Sequence, residues 1–126
     1  MSKEVLSTDT APGAVGPYSQ GIRSAGLLFL SGQIALNPAT GKLVGDDAAA
    51  QAEQVCQNIL ALLTAAGLTA ANVVKTTVFI TDISAFAAVN AVYARYFPAP
   101  CPARSCVEVC KLPLGALVEI EAIAAL

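Results

Sequence analysis

The chain has 126 residues, of which 56% are apolar and 13% charged, with a formal net charge of −2. That balance excludes a disordered chain, leaves room for one domain over residues 1–126, and offers no basic field to attract nucleic acid. There is no histidine, which excludes Ser-His-Asp and Cys-His catalysis within one chain and removes the commonest metal ligand.

Residues 8–21 carry Pro12, Gly13, Gly16, Pro17 and Gly21 and are expected to form a turn-rich arm. Two short strands within residues 22–34 follow, joined by a tight turn at Ala25-Gly26. The second, Leu27-Leu28-Phe29-Leu30, is apolar on both faces, which places it inside a sheet. Residues 37–41 have turn chemistry, and Asp46 and Asp47 are N-cap candidates. Ala52, Val55, Cys56, Ile59, Leu62, Leu63 and Ala66 then recur at helical spacing, and Gly67 supplies a left-handed C-cap.

Residues 73–80, rich in Val, Thr, Phe and Ile, predict a strand. Ser84 is the expected cap of a second helix, with Phe86, Val89, Asn90, Tyr93, Tyr96 and Phe97 on one face and Pro98 at its end. Pro98, Pro100 and Pro102 mark an irregular crossing before two last strands, 103–110 and 117–125. The order predicts an α+β layer, a mixed sheet with both helices on one face. Solvated surfaces are typically ~25–35% charged, more than this chain supplies. The other sheet face is therefore expected to be covered by copies of the chain or by a partner.

Strand alternation sorts the last two segments. Arg104, Cys106, Glu108 and Cys110 share one face of the first; Ala103, Ser105, Val107 and Val109 share the other. In the second, Leu117, Glu119, Glu121 and Ile123 lie opposite Val118, Ile120, Ala122 and Ala124. If the small and apolar faces meet the helices, Arg104, the thiols and the carboxylates all point to the helix-free side. Arginine in a cleft suits bidentate binding of a carboxylate, and a nearby glutamate suits activation of water. Parity alone does not choose between Glu119 and Glu121.

The spacings of Cys101, Cys106 and Cys110 do not match Cys-x-x-Cys, and at least three of the four thiols, Cys56 included, are read as small apolar fillers. Cys106 has no histidine to activate it. No signal-peptide core follows Met1-Ser2-Lys3-Glu4, and no apolar run reaches the ~18 residues of a membrane span. A cytoplasmic protein with reduced thiols and no membrane partner is expected. No phosphate loop is present, and Glu108, Glu119 and Glu121 lack a phosphate site to share a metal with, so no metal is expected.

The stretch Pro102-Ala103-Arg104-Ser105-Cys106-Val107-Glu108-Val109, then Leu112-Pro113 and Val118-Glu119-Ile120-Glu121-Ala122, resembles the signature of the RidA/YjgF family of enamine/imine deaminases. Gly16-Pro17-Tyr18-Ser19-Gln20-Gly21, Ser31-Gly32-Gln33-Ile34 and Val74-Lys75-Thr76-Thr77-Val78-Phe79 extend the resemblance nearly end to end. It implies a chorismate-mutase-like subunit, a homotrimer with sites at subunit interfaces, and no cofactor. The implied reaction hydrolyses 2-aminoacrylate, through 2-iminopropionate, and related imines to 2-keto acids and ammonia. By the same resemblance, Arg104 holds the substrate carboxylate and Glu119 orients the attacking water. Cys106 contacts substrate through its backbone, Tyr18 lines the cleft, and Ser31 and Gly32 belong to the loop that approaches the substrate. Asn90 matches a polar helix position near the substrate site, its alternative being a polar residue satisfied at a helix–sheet contact. The other reading is a non-catalytic module of the same fold that binds a small carboxylate or keto acid.

Overall fold

A computed structural model describes residues 2–126. Six strands, β1 (Glu4–Leu6), β2 (Gly21–Ser24), β3 (Leu27–Gln33), β4 (Val73–Ile80), β5 (Ala103–Glu108) and β6 (Val118–Ala125), form one sheet in the order β1-β2-β3-β6-β4-β5. All neighbours are antiparallel except β4 and β5, which run parallel, so the sheet is mixed. The helices α1 (Ala48–Ala65) and α2 (Phe86–Tyr96) pack together on one face.

Helix α1 forms where the apolar spacing places it. Asp47 caps it by accepting from the Ala50 amide at 2.8 Å. At the other end Gly67, at φ 77°, turns the chain so that its amide and that of Leu68 bond the carbonyls of Thr64 and Leu63. The inner stripe of Ala52, Val55, Cys56, Ile59, Leu62 and Leu63 is buried against Val118, Ile120, Ala122 and Ala124 of β6 and Leu28 and Leu30 of β3. Fully burying one such aliphatic side chain stabilises by about 1.5–3 kcal/mol, so this stripe is what fixes the helix to the sheet.

Entry to α2 differs from the sequence expectation. A short 3₁₀ turn, Ile83–Ala85, precedes the helix, and its cap is Asp82 rather than Ser84. The Asp82 carboxylate accepts from both the amide and the hydroxyl of Ser84, which holds its pKa below the ordinary carboxylate value. Strand β1 was not foreseen either; only Glu4, Val5 and Leu6 add to the edge of β2.

Strand β5 carries the main correction. Its register with β4 pairs Thr76 with Arg104, Val78 with Cys106 and Ile80 with Glu108. Thr76, Val78 and Ile80 are buried beneath the helices. Arg104, Cys106 and Glu108 therefore share the helix side, and Ala103, Ser105 and Val107 look to the helix-free side. The expectation for β6 holds, with Glu119 and Glu121 on the helix-free face opposite the buried Val118, Ile120 and Ala122. That face mixes Lys75, Thr77, Ser105 and the two glutamates with exposed apolar side chains, Phe29 at 41% and Val107 at 43%.

Three buried amide side chains tie loops to this frame. The Asn58 amide nitrogen donates to the Ile34 and Leu36 carbonyls at 3.2 and 2.9 Å. Gln51 donates to the Gly45 carbonyl and accepts from the Leu117 amide at 2.8 Å. Gln20 serves the arm in the same way. Asn58→Ala strips the donor from two carbonyls, which costs on the order of 1–3 kcal/mol. Urea denaturation at fixed protein concentration should show that loss; an unchanged midpoint would show that water replaces the amide without penalty.

Candidate active site

Two clefts hold the chemistry-bearing residues, one on each side of the sheet. The first, of about 610 Å³, is lined by Tyr18, Ser31, Gly32 and Glu119, together with Val15, Gln20, Pro113, Leu114 and Glu121. The second, of about 490 Å³, is lined by Asn90, Tyr93, Cys101 and Arg104. Arg104 and Glu119 thus do not meet within one chain. Cys106 is half-buried on the Arg104 side of β5.

The first cleft is built by a bulge in β3. Between Leu30, paired with Ala122, and Gln33, paired with Ile120, the strand holds one more residue than its partner. The extra length lies at Ser31-Gly32, beside Glu119. Glycine matters here by contact rather than by φ, because a Cβ at Gly32 would collide with the Glu119 carboxylate and force that side chain out of its present position. The Ser31 hydroxyl donates to the Ser19 carbonyl at 2.6 Å and its amide donates to the Gln20 carbonyl at 3.0 Å.

Those bonds anchor the arm that carries Tyr18. Gln20 is buried, its amide nitrogen donates to the Thr8 and Pro12 carbonyls at 2.9 and 2.8 Å, and its oxygen accepts from the Thr8 amide. Tyr18 itself is half-exposed at the mouth of the cleft. Opposite it, Leu114 is held at φ 58° and is 72% exposed. An aliphatic residue in the left-handed region is strained, and with Val15 it lends the cleft an apolar rim. Gln20 and Leu114 were not singled out from sequence; the turn residues around each were the only signal.

Burial and the adjacent Glu121 charge both push the Glu119 carboxyl above its ordinary pKa. Such a carboxylate holds a proton more readily than one in water, as a group that must take one up requires.

In the second cleft the Arg104 guanidinium donates from Nη1 to the Asn90 side-chain oxygen at 2.7 Å. It lies over the rings of Tyr93 and Phe86, 4.9 and 5.5 Å from their centres. Glu108, on the same strand face, accepts from the Ile83 amide at 2.8 Å and is committed to holding the α2 entry. Among the described residues no cluster of His, Cys, Asp and Glu is spaced to hold a metal.

Residues 8–126 match the family model described as Endoribonuclease L-PSP. The chain belongs to the RidA/YjgF family. It is 51% identical over 126 residues to Reactive Intermediate Deaminase A, chloroplastic, of Arabidopsis thaliana, covering 100% of this chain and 67% of that protein. It is 50% identical over 127 residues to the 2-iminobutanoate/2-iminopropanoate deaminase of Escherichia coli, covering 98% of each. Among solved structures it superposes with TM-score 0.92 and 44% identity on E. coli TdcF with bound serine, covering 98% of each chain. A putative endoribonuclease from Thermotoga maritima is similarly close, with TM-score 0.94 and 46% identity over 98% of this chain and 97% of that one. The RidA/YjgF relatives thus include enamine/imine deaminases alongside proteins named for another activity. Among the described residues no helix is long and apolar enough to cross a membrane.

Burial raises the Cys106 thiol pKa, the Arg104 charge lowering it only in part, and burial pushes Cys56 up to about 12. Iodoacetamide at neutral pH should therefore label Cys106 more slowly than the exposed Cys110 and spare Cys56, followed by peptide mass spectrometry. Cys106 labelling first would reveal an activated thiolate.

Proposed function

We propose that the protein is a homotrimeric enamine/imine deaminase, hydrolysing 2-iminopropionate, 2-iminobutanoate and related 2-imino acids at sites shared between adjacent subunits. The observation that carries this reading is the placement of Arg104 and Glu119 on opposite sides of one sheet, each at the edge of its own cleft. A substrate small enough for both to touch requires the Arg104 side of one subunit to meet the Glu119 side of the next. The large apolar side chains exposed on the helix-free face, Phe29 and Val107, favour such an assembly. Three is the number implied by the family. The deaminase names of relatives at about half identity over the full chain support the reaction class.

In the proposed step Arg104 grips the substrate carboxylate with two parallel N–H donors. Glu119 accepts a proton from a water as its oxygen bonds to the imine carbon. The C=N double bond becomes a single bond, its electron pair goes to nitrogen, and Glu119 returns the proton there, leaving a neutral carbinolamine. Glu119 then takes the proton of the new hydroxyl as the C=O bond forms and the C–N bond breaks, and it passes that proton to the departing nitrogen, releasing ammonia and the keto acid. Acid–base help of this kind is worth ~10²–10⁴-fold, sufficient for a reaction that proceeds slowly unaided. Tyr18, Ser31 and Gly32 shape the cleft around the reacting carbon, and Cys106 contributes backbone rather than thiol. The solved structure of E. coli TdcF holds serine, a small molecule that carries a carboxylate as the proposed substrate does. A non-catalytic binding module would use the same Arg104 contact but has no need of the raised Glu119 carboxyl.

The test is keto-acid release from imines generated in situ, with and without the protein. Glu119→Gln should lose ~10²–10⁴-fold in kcat while still binding the keto-acid product. Glu121→Gln should be much less impaired. Because burial and then Glu121 raise the Glu119 carboxyl, activity should begin to fall on acidification above the ordinary glutamate range, and Glu121→Gln should move that limb to lower pH. No rate enhancement by the wild type would leave the binding module standing. A more damaged Glu121→Gln would move the water-activating role to Glu121.

A further inference from the structure

Arg104 is exposed as a residue, yet its guanidinium is restrained from several directions. The Asn90 oxygen takes one Nη1 proton at 2.7 Å, and the rings of Tyr93 and Phe86 lie 4.9 and 5.5 Å from the guanidinium carbon. Residues 86, 90 and 93 are at i, i+4 and i+7 on α2, so all three present from one helix face. Tyr93 is itself fixed. It is buried, its hydroxyl shares a 2.6 Å hydrogen bond with that of fully buried Thr76, and its ring centre lies 4.5 Å from that of Phe97. Thr76 is the register partner of Arg104 on β4, so the strand that places the arginine also fixes the ring beneath it.

We propose that Phe86, Asn90 and Tyr93 are positioning residues that pre-order the Arg104 guanidinium, leaving its remaining N–H edge open to the incoming carboxylate. A free arginine loses rotamer freedom when it closes on a ligand. Ordering it beforehand moves that loss from the binding step to folding. Asn90 then acts on substrate through Arg104, since its oxygen is already engaged. The inference rests on reading Arg104 as the carboxylate-binding group, and it adds that an aromatic clamp on α2 sets substrate affinity.

The test uses Phe86→Leu, Tyr93→Leu and Tyr93→Phe, each alone and combined with Arg104→Lys. Steady-state kinetics are measured with 2-iminobutanoate generated in situ, and calorimetry gives Kd for 2-oxobutanoate. Phe86→Leu and Tyr93→Leu should each raise KM and Kd roughly three- to tenfold, with kcat changed by less than about twofold. Tyr93→Phe, which keeps the ring and drops only the bond to Thr76, should recover most of the affinity lost in Tyr93→Leu. On the Arg104→Lys background the leucine variants should add little, because the group they position is gone. If Tyr93→Leu fails to fold, Phe86→Leu, at a partly exposed position, carries the comparison. Unchanged KM and Kd in the leucine variants that fold, or effects that simply add to Arg104→Lys, would overturn the clamp while leaving the carboxylate role of Arg104 intact. Unchanged product binding and turnover in Arg104→Lys alone would overturn that role and the clamp with it.

Discussion

Strand β4 is paired on both sides, with parallel β5 and antiparallel β6, and its alternation is imposed on both partners. Thr76 faces the helices and carries Arg104 with it; Phe79 faces away and carries Glu119 with it. A slip of one residue in either pairing would move the corresponding charged side chain to the other face. The β6 register is held because Val118, Ile120 and Ala122 are buried with Thr76, Val78 and Ile80 under the helices, where a slip would bury Glu119 and Glu121 instead. The separation of the two charged groups is thus a consequence of core packing. A two-subunit site is the proposal that uses that separation rather than opposing it.

Each cleft is stiffened by groups that do no chemistry. On the Glu119 side, the bulge at Ser31-Gly32 opens space for the carboxylate, and Gln20 fastens the arm that brings Tyr18 over it. On the Arg104 side, α2 supplies the amide and rings around the guanidinium, while Glu108 holds the turn by which α2 begins. Asn58 and Gln51 extend the same device from α1, pinning the segment after β3 and the start of β6. Buried amides of this kind fix loop positions because an unmade hydrogen bond there is costly.

Much of the fold was legible from periodicity. Helix α1 has a continuous apolar stripe between Asp47 and Gly67, and β6 alternates two glutamates with small apolar residues, leaving one choice of buried face. Strand β5 was legible as a strand, but its facing was not. Arg104-Cys106-Glu108 and Ala103-Ser105-Val107 are both plausible outer faces on a half-covered edge strand, and only pairing with β4 decides between them. Gln20, Gln51 and Asn58 look like solvated residues in sequence, since nothing local marks a polar side chain whose partners lie on distant backbone. The roles of Phe86 and Tyr93 were hidden within an apolar helix face, although the placement of Asn90 between them was visible. Arg104 and the Glu119–Glu121 pair stood out from strand alternation, while the choice of Glu119 and the places of Tyr18, Ser31 and Gly32 rested on family resemblance; their division between two clefts came from the structure.

Sharing of the site between subunits is tested most directly by complementation. Arg104→Lys and Glu119→Gln chains, each with little activity alone, would be co-expressed and the mixed assemblies purified. A site made from the Arg104 side of one chain and the Glu119 side of the next predicts recovery, with roughly a quarter of the sites intact under random mixing in a closed ring. Mixed assemblies as inactive as either parent would contradict it, since they would place both groups of each working site in the same chain.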